Sequence, residues 1–209
     1  MKTLIFPTYF PSISHYVALV KNEKVVLEIG DHFQKQTNRN RMYIHSPNGK
    51  QLLNIPVKHA LAGNQHQKTK DVRIENDFGW QKQHFKSMEA AYRTSPYFEY
   101  FEDDFRPIFE KKHTFLLDLN LEVFAMINDA LGLKITIETS DVFEKNPDNC
   151  LDARNLANGK KDNNIFETYT QVFDDKNGFI NNLSIFDLLC NEGRHAVAYL
   201  KSQPLIIPK

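Results

Sequence analysis

The run Asp31-His32-Phe33-Gln34-Lys35-Gln36-Thr37-Asn38-Arg39-Asn40-Arg41 is where this chain concentrates groups that recognise charge, and almost none of them suits a hydrophobic core. Lys35, Arg39 and Arg41 share parity, so an extended backbone projects all three to one side. Two planar guanidinium forks beside an ammonium suit a phosphate or a carboxylate. Asn38 and Asn40 then face the other side, where their amides can read hydroxyls or amides of a ligand. His15 and His32, together with Asp31, are the candidates for handling a proton, because both histidines stand in loops or at element ends beside this run. The competing reading is structural: a charged hairpin edge that discourages pairing with another sheet.

Other reactive chemistries lack a local signature. The 8 histidines are scattered without HExxH or another metal-ligand spacing, and only His59 and His66, flanking a polar connection, sit near one another. Cys150 and Cys190 form no CxxC and read as reduced thiols, so neither a metal nor a cofactor is expected. There is no GxSxG elbow, no GxGxxG and no Walker loop. With 8 glycines in the whole chain, a phosphate must be held by side chains, in keeping with the arginine-rich run as binder. Tyr92, Tyr97, Phe98, Tyr100, Phe101, Phe105 and Phe109 could stack bases or sugars. At helical spacing such residues more often build a core, with Tyr97 and Tyr100 left off the Phe stripe to face a cleft.

The elements that position these residues are legible in outline. Lys2 to Phe6 reads as a strand, Ser12 to Asn22 as a helix capped by Ser12, and Lys24 to Ile29 as a buried strand. Strand, helix, strand is the opening of a βαβ unit, and ligands of open α/β sheets bind beyond the carboxyl ends of such strands. Residues 42–57 read as a β-hairpin turning at Pro47-Asn48-Gly49. Ala60 to Lys70 is a polar connection, and Val72 and Ile74 mark a short strand. Helices are predicted over Gly79 to Arg93 and Tyr97 to Phe109, the second kinked or restarted by Pro107. Another spans Phe115 to Leu131, capped by Thr114 and ended by Gly132, and leads into a strand at Lys134 to Glu138 in an αβ unit that favours parallel pairing. Asp141 to Asn164 is a long polar loop with one short helix near Leu151 to Leu156. Phe166 to Phe173 is a candidate last strand. Ser184 and Asp187 form a capping-box pattern ahead of a helix to Cys190, and a final helix spans His195 to Lys201.

Composition bounds the rest. At 209 residues, with 41% hydrophobic and 25% charged residues, the chain reads as one domain over 1–209 with its own core, residues 140–165 being a polar loop within it. Lys+Arg and Asp+Glu balance at 26 each, which disfavours nucleic acid as the main partner, since affinity for it comes from neutralising phosphates. The opening Met1 to Phe6 is too short an apolar run for a secretory signal, and no stretch approaches a membrane span. A cytoplasmic location is expected, and Asn182-Leu183-Ser184 is then a chance glycosylation match. The fold class expected is α/β: a mixed, mainly parallel sheet with flanking helices in Rossmann-like layering, a hairpin insertion and a helical C-terminus.

Several motifs together resemble the WbqC-like family: Pro7-Thr8-Tyr9-Phe10-Pro11-Ser12-Ile13, then Gln34-Lys35 with Asn38-Arg39-Asn40-Arg41, and Leu53-Asn54-Ile55-Pro56-Val57. Trp80, Ala91-Tyr92 with Ser95-Pro96-Tyr97-Phe98-Glu99, and Ser184 to Gly193 continue the likeness, which leaves out Asp141 to Asn164. Departures from the family pattern, Phe6, Ser14 and Gly30-Asp31 among them, fall in the supposed site. The resemblance implies an enzyme of bacterial surface-polysaccharide or O-antigen synthesis acting on a nucleotide-activated aminosugar, with acyl or aminoacyl transfer as its reaction. It adds Tyr9 and Gln34 to Lys35, Asn38, Arg39, Asn40 and Arg41 as ligand contacts, with His15, Asp31 and His32 as the catalytic set. The alternative is a non-catalytic binding or assembly protein of the same pathway.

Overall fold

The computed structural model describes residues 1–58 and 67–208. The connection carrying His59 and His66 lies outside those residues. Four strands, β1 (Lys2–Ile5), β2 (Lys24–Glu28), β5 (Thr136–Ser140) and β6 (Cys150–Asp152), form one sheet in the order β5-β2-β1-β6. Every neighbouring pair is parallel, with Lys2 opposite Lys24 on one side and Cys150 on the other. The helix α1 (Ile13–Leu19) makes the crossover from β1 to β2 and is buried along its whole length. β3 (Arg41–Ser46) and β4 (Gly49–Asn54) pair as a separate antiparallel hairpin. Its loop is Pro47-Asn48, and Gly49 takes the positive φ of 92° that a side chain would resist.

The remaining helices are α2 (Trp80–Tyr92), α3 (Phe98–Glu110), α4 (Leu116–Leu131), α5 (Asp174–Asn177), α6 (Ile185–Glu192) and α7 (Ala196–Ser202). The expected α/β architecture, with its parallel sheet, flanking helices, hairpin and helical C-terminus, is what the chain adopts. Phe98, Phe101, Phe105, Ile108 and Phe109 of α3 are core residues, as helical spacing predicts. Tyr100 points to solvent, and the Tyr97 ring lies so close to Gly193 that a Cβ there would come within 2.8 Å of it.

Several elements differ from the sequence expectation. α3 runs through Pro107 without restarting, because the proline sits in the last turn and its carbonyl still accepts from Lys111 N–H. Phe115, not Thr114, occupies the cap position of α4, with no side-chain cap, whereas Gly132 ends that helix at a φ of 66°. Phe166 to Phe173 forms no strand. Its backbone N–H groups are taken by side chains instead: Phe166 by Asn181, Glu167 by Gln203 and Gln171 by Asp174. The last strand of the sheet is Cys150–Asp152, inside the expected loop; three half-buried residues at an edge carry too little apolar pattern to announce it. No strand forms at Val72 to Ile74; Arg73 and Ile74 make isolated bridges, to Phe115 and Val57. Ser184 caps α6 by accepting from Phe186 N–H, but Asp187 does not reciprocate. It is fully buried and accepts from Tyr92 Oη at 2.8 Å and Tyr169 Oη at 2.6 Å, tying α6 to α2 and to the 169 segment.

Candidate ligand-binding cleft

The chain enters α1 from β1 and leaves β6 in loops that start at the same end of the sheet. β2 lies on one side of β1 and β6 on the other, so connections diverge here, at the kind of switch point where open α/β sheets hold their ligands. A cleft of about 140 Å³ lies between these loops, the hairpin and the segment before α6. Its walls come from Phe10 and Ser12 after β1, Asn38, Arg41 to Tyr43 and Lys50 around the hairpin, Gly159 and Asp162 after β6, and Asn181 to Ser184.

Local hydrogen bonding explains why these distant segments meet. Tyr9 N–H donates to Asn38 O at 3.0 Å, and Asn38 N–H donates to Ala157 O at 2.8 Å. Ile13 N–H donates to Leu183 O, Ile185 N–H to Pro11 O and Ser184 N–H to Tyr43 O. Two non-glycine residues of the wall hold positive φ, Phe10 at 40° and Asn182 at 52°. Such backbone costs of order 1–3 kcal/mol and persists only where surroundings over-determine it. Phe10 is held by ring contacts to Phe105, Phe109 and Phe186, and its carbonyl accepts from Ser184 Oγ at 3.0 Å.

The polar groups of the cleft divide into those already engaged and those left over. Asp162 accepts from Ser14 Oγ at 2.5 Å, Asn182 Nδ2 at 2.8 Å, and the backbone and side-chain N–H groups of Asn164. Asn181 is spent on Phe166 N–H and Asn164 O, and Ser184 on Phe10 O and Phe186 N–H. Among the described residues, three charged or amide groups remain. Arg41 gives only its Nε to Asn54 Oδ1, at 3.2 Å, leaving both terminal nitrogens unpaired among the described residues. The Asn38 side-chain amide makes no hydrogen bond among the described residues, although Asn38 is only 8% exposed. Lys50 Nζ lies 4.5 Å over the Tyr43 ring; partial burial lowers its ammonium below the usual value, and Asp162 opposes that shift. Gly159 leaves room for the Asn38 amide, since a Cβ there would lie 3.2 to 3.3 Å from its polar atoms.

Among the sequence candidates, Asn38 and Arg41 line this cleft. Arg39 is 1% exposed and points inward: its Nε and Nη2 donate to Asp31 Oδ2 at 3.0 and 2.5 Å, and its guanidinium stacks 4.2 Å over Phe6. Asn40 is buried and spans to Asn54 Oδ1 and Ile55 O. The shared side expected of Lys35, Arg39 and Arg41 is not formed, because residues 34–37 turn: Thr37 Oγ1 donates to Gln34 O and Gln36 holds a φ of 62°. Gln34 and Lys35 are exposed, and His32 is exposed where it bridges to Lys68. Tyr9 is buried beside Trp80 with its hydroxyl 3.0 Å from His84 Nδ1. His15 is fully buried behind the cleft wall, its Nδ1 2.9 Å from Ser12 Oγ. Burial lowers His15 to about 4; nearby Asp162 opposes the shift and Arg39 adds to it.

Ser12, Lys50, Asp162 and Asn182 were not singled out by sequence reasoning. For Asp162 and Asn182 the one signal is a density of Asn and Asp at 162–164 and 181–182; Ser12 stood out only as a helix cap and as part of the Pro7 to Ile13 motif, and Lys50 not at all. Among the described residues, no group of three or more His, Cys, Asp or Glu side chains is placed to hold a metal ion, and no helix is long and apolar enough to cross a membrane.

Comparison with known proteins places residues 7–164 in a match to the WbqC-like protein family. The match takes in 141–164, which the motifs alone do not reach, and ends before the Ser184 to Gly193 element. A curated relative, an uncharacterized protein of Mycobacterium tuberculosis designated Rv1507c, is 25% identical over 142 residues. That alignment covers 68% of this chain and 60% of the relative's length. No solved structure matches the chain.

Proposed function

The chain belongs to the WbqC-like protein family, and from that membership together with its cleft we propose that it binds a phosphorylated, nucleotide-linked aminosugar as an enzyme of bacterial surface-polysaccharide synthesis. The observation that carries the reading is the set of uncommitted groups: Arg41, Lys50 and Asn38 converge on one cleft while Ser12, Asp162, Asn181, Asn182 and Ser184 are engaged within the protein. Arg41 offers two parallel N–H donors to a phosphate, and Lys50 adds a second positive charge. The Asn38 amide, with donors and an acceptor, reads a hydroxyl or an acylamino group of the sugar. Arg39 and Asp31 serve the site from behind, as a buried pair that fixes the backbone carrying Asn38 and Arg41.

Isothermal titration against a panel of nucleotide-linked sugars and free nucleotides tests the reading. Wild type should bind at least one nucleotide sugar, and Arg41→Ala should weaken it about tenfold or more, as loss of a charge-assisted bidentate contact does. Equal affinity of wild type and Arg41→Ala for every ligand that binds would remove the assignment.

A further inference from the structure

The cleft holds one group that binding alone does not use. Ser12 lines it, with its Oγ 2.9 Å from His15 Nδ1 and 2.9 Å from Ser14 Oγ. Ser14 gives its own proton to Asp162 at 2.5 Å, so its oxygen can only accept from Ser12. The Ser12 proton therefore has Ser14 Oγ as an acceptor, and His15 Nδ1 as a second in the tautomer that carries the ring proton on Nε2. His15 is sealed from water, and its Nε2 has no partner among the described residues. A neutral imidazole against a hydroxyl at the wall of a cleft is the nucleophile–base pair of covalent catalysis. The Phe10 backbone at a φ of 40°, two residues before Ser12, fixes the loop that presents the hydroxyl.

Resting on the reading of the cleft as a ligand site, we propose that Ser12 is a catalytic nucleophile that takes an acyl group from an activated acyl ester and passes it to an amine of the bound sugar. The Ser12 Oγ–acyl carbon bond forms as the Ser12 proton moves to His15 Nδ1. The tetrahedral intermediate then expels the thiolate or alkoxide of the donor, which leaves with that proton. The amine attacks the acyl–Ser12 ester, an amide forms, the C–Oγ bond breaks, and Ser12 regains a proton from the amine by way of His15. Asp162, reached through Ser14, is the negative charge that favours the transient imidazolium, and Arg39 is the positive charge that opposes it. Asn38 Nδ2 and the Arg41 nitrogens are the uncommitted donors available to the oxyanion. Ser14 is a positioning residue, since its proton is engaged and it does not line the cleft.

The test uses the full chain with p-nitrophenyl acetate, read by intact mass and peptide mapping. One acetyl group should appear on Ser12, labile to hydroxylamine as an ester is. Ser12→Ala should lose it, Ser12→Cys should keep it as a thioester, and Ser14→Ala should keep it at reduced rate. Labelling should persist from neutral pH down to about pH 5, falling only as His15 is protonated near 4. Acetyl found only on Lys50, or unchanged labelling in Ser12→Ala, overturns the proposal. Titration of folded Ser12→Ala with the nucleotide sugar separates the two readings. Retained binding with no Ser12 ester in wild type removes the nucleophile and leaves the ligand site. A Ser12 ester without binding of any nucleotide sugar removes the ligand assignment and leaves the nucleophile.

Discussion

At the scale of single residues, the cationic run shows how one motif is split between scaffold and site. Arg39 and Asp31 are both almost fully buried, so removing one partner strands a charge. Arg39→Ala is expected to lower stability by about 3 to 5 kcal/mol, measured by urea unfolding, whereas Arg41→Ala should leave the midpoint nearly unchanged. Both arginines were visible in the sequence as charge recognisers. Which one lines the cleft was not, because the turn at residues 34–37 breaks the parity on which an extended reading depends. The buried histidines give a second prediction. Burial lowers both His15 and His84 to about 4 from 6.5. Between those values the unfolded chain binds more protons than the folded one, so stability must fall as pH drops from about 6.5 towards about 4. Each residue accounts for at most about 3 kcal/mol of that loss. Unfolding midpoints that stay level between pH 7 and pH 4.5 would contradict the sealed, neutral state of both rings.

At the scale of elements, what was legible followed from periodicity, and what was not followed from side chains doing the work of backbone. α2, α3 and α4 announce themselves by apolar spacing, and Gly132 by its left-handed stop. The stretch from Phe166 to Phe173 alternates like a strand yet is held by Asn181, Gln203 and Asp174, partners that no local pattern reveals. Asp187 illustrates the same point, since a capping-box spacing concealed a buried acceptor for two tyrosines. Asp187→Ala leaves Tyr92 and Tyr169 hydroxyls without their acceptor, and a loss of about 2 to 4 kcal/mol is expected. Asp187→Asn, which retains one acceptor oxygen, should lose less; equal losses would show that the cost is cavity and not polar satisfaction. Gly159→Ala addresses the element after β6. Its Cβ would press on the Asn38 amide, so ligand affinity should fall severalfold while thermal stability stays within about 0.5 kcal/mol.

At the scale of the whole molecule, the parallel sheet and the zero formal charge bear on behaviour in solution. With a sequence pI near 7.1 the chain lacks mutual repulsion at neutral pH, so light scattering should show its strongest self-association there and less on either side. The cleft has a further consequence. Its walls unite Phe10 with Asn182 and Ser184, segments separated by most of the chain, through bonds such as Ile13 N–H to Leu183 O. Contacts of that sequence separation carry a large loop-closure cost and form late. The cleft is therefore expected to assemble after the β1–α1–β2 unit has its local contacts, with hydrogen-exchange protection at Ile13 and Ile185 appearing later than in β1 and β2. A chain released from the ribosome before residue 184 has no complete cleft, so the cleft's presence reports that synthesis has passed Ser184 and that the segment before α6 has docked.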